Sequence, residues 1–260
     1  MKNPIALSIF YRTCDRLILA FLAMSVFAVN VFAADVTGDF SAANRFYAEG
    51  KFSAAAIAYE SILNSGAISP NLLFNFGNAE FKAGNLGKAI AAFRRAELLA
   101  PRDPEIRANL DFVRNQVQGS TFREHRWQDW LGQLTLNEWS LLAVIALWGT
   151  LILFTLRQLR PALVPKLRAS TSFLVVITIL LGAALGVQAT DHFSNSVAVV
   201  TTAGAIARSG PFGDAQVAFI SHDGAELAVM NKHDEWFQVA DGTGKIGWLS
   251  KTQVQVLPGA

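Results

Sequence analysis

The sequence predicts a multi-domain membrane protein: α-helical repeats, then two transmembrane helices, then a small all-β barrel. Three observations predict this class. Two stretches, 139–156 and 173–189, carry no charged residue. Residues 36–118 repeat with a period of 34. Residues 196–257 break into short apolar runs separated by turn residues.

Composition agrees with the first observation. The 260 residues are 52% hydrophobic but only 16% charged, against roughly a quarter charged in an ordinary soluble domain. The net charge of +2 is not gathered on any one folded segment, so nothing resembles a nucleic-acid footprint. The one cysteine, Cys14, precedes the first apolar run. It leaves the mature chain no disulfide, thiol nucleophile or cysteine metal site, and says nothing of redox compartment.

The N-terminal element comes first in the chain. Lys2, Arg12 and Arg16 precede an apolar run, Leu17 to Ala34, that ends in small residues. A basic region, an apolar core and small terminal residues form a secretory signal peptide, here 1–34 with cleavage after Ala33 or Ala34. An uncleaved signal anchor is the alternative. Either sends residue 35 onward out of the cytoplasm.

The spans follow from length. Trp139 to Leu156 is WSLLAVIALWGTLILFTL; at ~1.5 Å per residue it reaches ~27 Å, close to a ~30 Å hydrocarbon core. Phe173 to Ala189 is nearly as long. The loop between, 157–172, carries Arg157, Arg160, Lys166 and Arg168 and no acid. Basic loops stay cytoplasmic, so residues 35–138 and 190–260 are both expected outside. The segment 119–138 reads as amphipathic and juxtamembrane. Its Trp127 and Trp130, with Trp139 at the start of the first span, suit the headgroup layer. Gly182 and Gly186 have the small-xxx-small spacing of close helix contacts.

In the repeat region, Gly50 pairs with Gly84, Phe52 with Leu86, Ala55 with Ala89, Tyr59 with Phe93, Tyr47 with Phe81, and Asn44 with Asn78. Ala43 stands where Gly77 recurs. These residues resemble the tetratricopeptide repeat, a helix–turn–helix unit of 34 residues. Residues 104–117 follow as a capping helix. Its apolar stripe is Ile106, Leu110, Val113 and Val117, and its other face, with Arg107, Asp111 and Arg114, is expected to meet water. Two units and a cap are few for a stable array. Support from the membrane, the juxtamembrane segment or a partner is expected.

The resemblance implies a groove that holds a partner segment, lined here by Asn44, Tyr47, Phe74, Asn75, Asn78, Phe81 and Lys82. The plainer reading makes the aromatics packing residues. Some arrays of this family clamp a peptide's terminal carboxylate with asparagines and cations. Phe40, Glu105 and Asn109 occupy the cation positions, so no carboxylate clamp is expected.

The C-terminal runs VAVV, ELAVM, WFQVAD and IGWLS alternate with turns at Ser209-Gly210-Pro211, Asp223-Gly224 and Asp241–Gly244. About five short strands in so few residues suggest a small barrel. Arg208-Ser209-Gly210-Pro211, His222-Asp223-Gly224, Trp236 with Val239, and Gly247-Trp248-Leu249 resemble a bacterial SH3-type domain over 196–257. Such a domain implies Arg208, Trp236 and Trp248 as contacts for a peptide or for peptidoglycan. The alternative places Trp248 inside the barrel and pairs Arg208 with an acid.

No enzyme chemistry is legible. The four histidines have no metal-ligand spacing, and no phosphate loop, dinucleotide fingerprint or nucleophile elbow is present. No catalytic residue, cofactor or metal is expected. Uncharged spans also argue against an ion pathway. The whole order, with Leu134-Thr135-x-Asn137-Glu138-Trp139 at the first span, resembles the BatE family of envelope proteins associated with aerotolerance operons. It implies partners bearing von Willebrand factor A-type domains and a MoxR-type ATPase. The expected function is a non-enzymatic scaffold for protein–protein interaction at the periplasmic membrane face; the alternative is a peptidoglycan anchor.

Overall fold

Glycine and proline punctuate the helical region as backbone chemistry requires. The structure is a computed structural model that describes residues 37–117, 132–194 and 196–258. The segment expected to be a signal peptide, 1–34, and His125, Trp127 and Trp130 lie outside the described residues. Helices α1 (Thr37–Ala48) and α2 (Phe52–Asn64) form one hairpin, and α3 (Pro70–Lys82) and α4 (Leu86–Leu99) form the next. Each hairpin turns at a glycine with positive φ, 74° at Gly50 and 89° at Gly84, a conformation that side chains with a Cβ avoid. Ser69 caps α3, accepting the Leu72 N–H at 3.1 Å. Asp103 caps α5 (Pro104–Arg114), accepting from Glu105 and Ile106. Proline follows each of these caps, at the first helical position, where its missing N–H has no intrahelical partner to lose.

Small residues let α3 and α4 approach. A methyl on Gly77 would lie 2.9 Å from the Phe93 ring. Leu73, Ala89, Phe93, Ala96, Ile106 and Leu110 are all buried at 2% exposure or less. Ile106, Leu110 and Val113 of α5 face inward as their spacing predicts, whereas the helix ends at Arg114 and Val117 packs on the same side from the turn beyond it.

Helix α6 (Leu136–Leu159) opens with a reciprocal cap: Glu138 N donates to Thr135 Oγ1, and the Glu138 carboxylate accepts from Thr135 N. A 3₁₀ turn, Pro161–Leu163, leads into α7 (Val164–Ser194). Both helices are long and apolar enough to cross a membrane, with mean hydropathy 2.1 and 2.2. Their apolar windows are only 17% and 6% buried. A core helix of a soluble protein would be covered by its neighbours; these two offer their side chains to the surroundings.

Three sequence expectations change here. Helix geometry continues past the apolar runs, so Arg157 belongs to the last turns of α6, and Lys166 and Arg168 to the first turns of α7. Only Arg160 lies in the connection. Long cationic side chains at helix ends keep their charge in water while the backbone ladder runs on. The helix contact is made by Thr150, whose Oγ1 is 2.9 Å from Thr178 Oγ1, and by Gly149 against Leu174. Gly182 and Gly186 face open space instead. Trp139, expected at the headgroup layer, is 6% exposed.

The C-terminal region is one antiparallel sheet of seven strands, two more than the turn pattern suggests. They are β1 (Val197–Val200), β2 (Ala205–Arg208), β3 (Val217–Ser221), β4 (Glu226–His233), β5 (Trp236–Ala240), β6 (Ile246–Ser250) and β7 (Val254–Leu257). Their order is β3-β2-β6-β5-β4-β1-β7. A 3₁₀ turn, Lys251–Gln253, joins β6 to β7. The two-residue β4–β5 turn has Asp234 at φ 47°, as tight hairpins demand. Ala198, Val200, Ala205, Ala207, Leu227, Val239 and Leu249 form the domain's own core.

The helical region and the sheet pack on one another. Strand β1 is buried on both faces: Ala198 and Val200 enter the sheet core, while Val199 and Leu257 enter a cluster with Ala89, Ile90, Phe93, Leu110 and Val113. Beside this cluster Glu226 is 1% exposed. Its Oε1 accepts from Arg94 at 2.6 Å, and Arg114 forks onto both oxygens at 2.7 and 2.9 Å. Arg114, expected in water, is therefore an interface residue. Burial pushes the Glu226 carboxyl up, but the hydrogen bonds and charges of Arg114 and Arg94 outweigh it and hold the group below the ordinary range.

A second polar contact completes α4. Its preceding residue, Asn85, makes no cap; its amide turns to Glu80 at 2.5 Å. Asp223, from the turn before β4, accepts the Gly87 N–H at 3.1 Å instead. Burial raises the Asp223 carboxyl, and the N–H donors of Gly87, Leu86 and Gly224 oppose that rise. The approach is close enough that a methyl on Gly87 would overlap the Val200 carbonyl oxygen. The missing support for a short array thus comes from the chain's own C-terminal domain.

Candidate partner-binding surfaces

Two surfaces gather the residues singled out by sequence. The first lies on α1, α3 and α5. Asn44 is exposed and accepts a 2.6 Å hydrogen bond from the buried Tyr59 hydroxyl. Burial raises the Tyr59 hydroxyl pKa, so it stays a donor. Tyr47 is half-buried, edge-on to Phe52 at 5.3 Å. Phe74 packs edge-on to Phe93 at 5.8 Å and touches two core clusters. These three contacts are structural.

Asn75, Asn78 and Phe81 are half-buried and Lys82 is exposed. Lys82 also borders an open depression of about 430 Å³ with Gly50 and Phe52. Phe81 touches the core from one side and, from the other, stands edge-on to Phe112 at 5.6 Å. Phe112 is 56% exposed. Sequence reasoning missed it because it falls beside the apolar stripe of α5. The signal was the repeat itself: Asn44, Asn78 and Phe112 stand 34 residues apart. The face therefore offers an aromatic pair beside amides and one ammonium group, a surface for an apolar side chain on a polar backbone.

The second surface is the outer face of the sheet. Strand alternation sends Gly247, Leu249 and Val239 inward and their neighbours outward. Cross-strand pairs Arg208–Trp248, Trp248–Gln238 and Gln238–Asn231 form one row. The next row pairs Ser250 with Trp236 and Trp236 with His233. Trp248 and His233 meet edge-on at 6.4 Å. Arg208, Trp236 and Trp248 thus share one face, all half-buried. Trp248 does not fill the core, and Arg208 donates to the Ala215 carbonyl at 2.8 Å, not to an acid. That bond ties β2 to the following loop and leaves the guanidinium's other donors for a ligand.

Elsewhere the polar groups serve structure. Asp241 accepts from Thr243 N, Thr243 Oγ1 and Lys245 N, closing its glycine turn. Burial raises its carboxyl, but these donors bring it below the ordinary value. His233 lies 3.5 Å from Asp234, and both are exposed. Among the described residues no group of three or more His, Cys, Asp or Glu side chains is placed to hold a metal.

Comparison with known proteins agrees with the sheet. Residues 202–255 match the bacterial SH3 domain family. The chain as a whole has no match among curated proteins.

Proposed function

From a bacterial SH3 domain packed on a helical array, we propose a non-enzymatic, membrane-anchored scaffold for protein–protein interaction on the outer face of a bacterial inner membrane. One observation carries it. Residues 37–117 precede the apolar hairpin and residues 196–258 follow it, yet Glu226 joins Arg94 and Arg114 across the two. If α6 and α7 span, that contact requires both flanks on one side. The basic residues at the far end of the hairpin and the signal peptide expected from the sequence favour the outer side. A reporter fused near residue 162 is expected to be active only in the cytoplasm; periplasmic activity would overturn the orientation.

The tetratricopeptide-like period makes the Phe81–Phe112 face the first partner surface. The resemblance to the BatE family makes membrane proteins with von Willebrand factor A-type domains, and a MoxR-type ATPase system, the partner classes to test. Co-purification of full-length protein against F81A/F112A tests both points. Loss of such partners from the variant is expected, and an unchanged partner set removes this face from the account.

A second reading rests on the Arg208–Trp248–Gln238–Asn231 row. Indole faces flanked by amide and guanidinium donors suit peptidoglycan, whose sugars and peptides offer apolar and polar edges together. Full-length protein in detergent is then expected to sediment with cell-wall sacculi and W236A/W248A to remain in solution. Failure of the native protein to sediment at low salt ends this reading.

A further inference from the structure

The corner between α4 and α5 sits beside the start of α6. Arg102 in that corner donates to Glu138 Oε1 at 2.5 Å. Glu138 is also the residue that closes the cap of α6, and the uncharged run begins at the next residue. Leu99, Pro101 and Arg102 line one open depression of about 330 Å³ together with Thr135 and Glu138. Leu99 is 45% exposed there, although it closes an otherwise well-buried helix. The polar layer on each side of a ~30 Å hydrocarbon core is roughly 6 Å deep. A side chain sharing a depression with Glu138 lies within or beside that layer when α6 spans.

We propose that this corner rests on the phospholipid bilayer, with Leu99 at the boundary between headgroups and acyl chains and Arg102 at the level of the phosphates. The depression is shared with Thr135 and Glu138, the residues that open α6, so the corner stands at the level where that helix would enter lipid. Arg102 keeps its stem along apolar surface and its guanidinium in the polar layer. The Arg102–Glu138 pair fixes the height of the corner, and through α4 the height of the whole array. The inference rests on α6 being a span.

The test uses full-length protein carrying C14S, reconstituted in phosphatidylethanolamine–phosphatidylglycerol vesicles and spin-labelled at one new cysteine. L99C, I57C and I145C are compared for collision with oxygen, which concentrates in lipid, and with a water-soluble nickel complex. The expected result is I145C deep in lipid, L99C shallow but several-fold more accessible to oxygen than to nickel, and I57C open to nickel. Adding R102A to L99C is expected to move that label toward nickel. L99C matching I57C while I145C stays deep overturns the corner contact alone. L99C shielded from both reagents also overturns it, since protein then covers the site. I145C open to nickel overturns the spanning helix and the inference with it.

Discussion

Glu226 has little freedom to change, since its two oxygens accept three hydrogen bonds from Arg94 and Arg114. Removing its carboxylate takes the 2.6 Å ion pair from Arg94, 5% exposed at its side chain, and both bonds from Arg114. Breaking a buried pair in this way costs about 3–5 kcal/mol. The variant E226A is therefore expected to lower stability by that order, read as a shift in the urea midpoint of detergent-solubilised protein. The pH response follows from the same contact. The Glu226 pKa is depressed on folding, so its contribution is whole above the ordinary glutamate value and is lost as pH falls through the folded one. Asp223 is raised and acts with the opposite sign, gaining as pH falls. E226Q is expected to flatten the loss of stability between pH 7 and pH 3, and an undiminished loss would assign the acid sensitivity elsewhere. At Gly87 a single methyl is expected to separate the two regions, because the overlap is with backbone, which cannot rotate away. Increased protease cleavage in G87A, beside unchanged cleavage in E60A on the exposed side of α2, is the measurement.

At the scale of elements, the helices were the most legible part of the sequence. Their period, glycine turns and caps are local chemistry: Gly50 and Gly84, paired in the repeat, both turn a hairpin, and α5 begins at Pro104 as expected and ends at Arg114, three residues early. The partners of α4 and α5 were not legible, because they are supplied by residues more than a hundred positions away. One clue was present in β1. Val197-Ala198-Val199-Val200 does not alternate with polar residues, and an unbroken apolar strand is buried on both faces. The run fits a strand with helices behind it better than the wall of a free-standing barrel. The outer row of the sheet was legible only as a set of residue types. Arg208, Trp236 and Trp248 lie far enough apart in sequence that only the strand register puts them on one face. On α5, Phe112 faces outward while Leu110 and Val113 face the sheet. F112A is expected to weaken partner binding by about 2 kcal/mol, roughly thirty-fold, at nearly unchanged stability. Isothermal titration with a captured partner reads the first value and thermal melting the second.

The whole molecule is a chain whose two soluble regions complete each other. Val199 and Leu257 fill the apolar face of α4 and α5, so the helical region lacks part of its core without the sheet. A fragment of residues 37–117 is therefore expected to melt far below the full chain, or without a cooperative transition, and a sharp melt near the full-chain value would show the array to be self-sufficient. The full chain is expected to lose helix and sheet signals together. Two coincident transitions by circular dichroism and tryptophan fluorescence would show this, and separate midpoints would deny it.

The Asp223 contact also sets an order of events during biosynthesis. The carboxylate that finishes α4 is made 136 residues after the N–H it receives. In the proposed topology, the translocon has by then passed the helices outward and released two apolar segments sideways into lipid. Until the last strands emerge, α4 waits with bare amides and an uncovered apolar flank. A nascent chain halted before residue 223 is consequently expected to be more open to chaperones and proteases than one released at its full length.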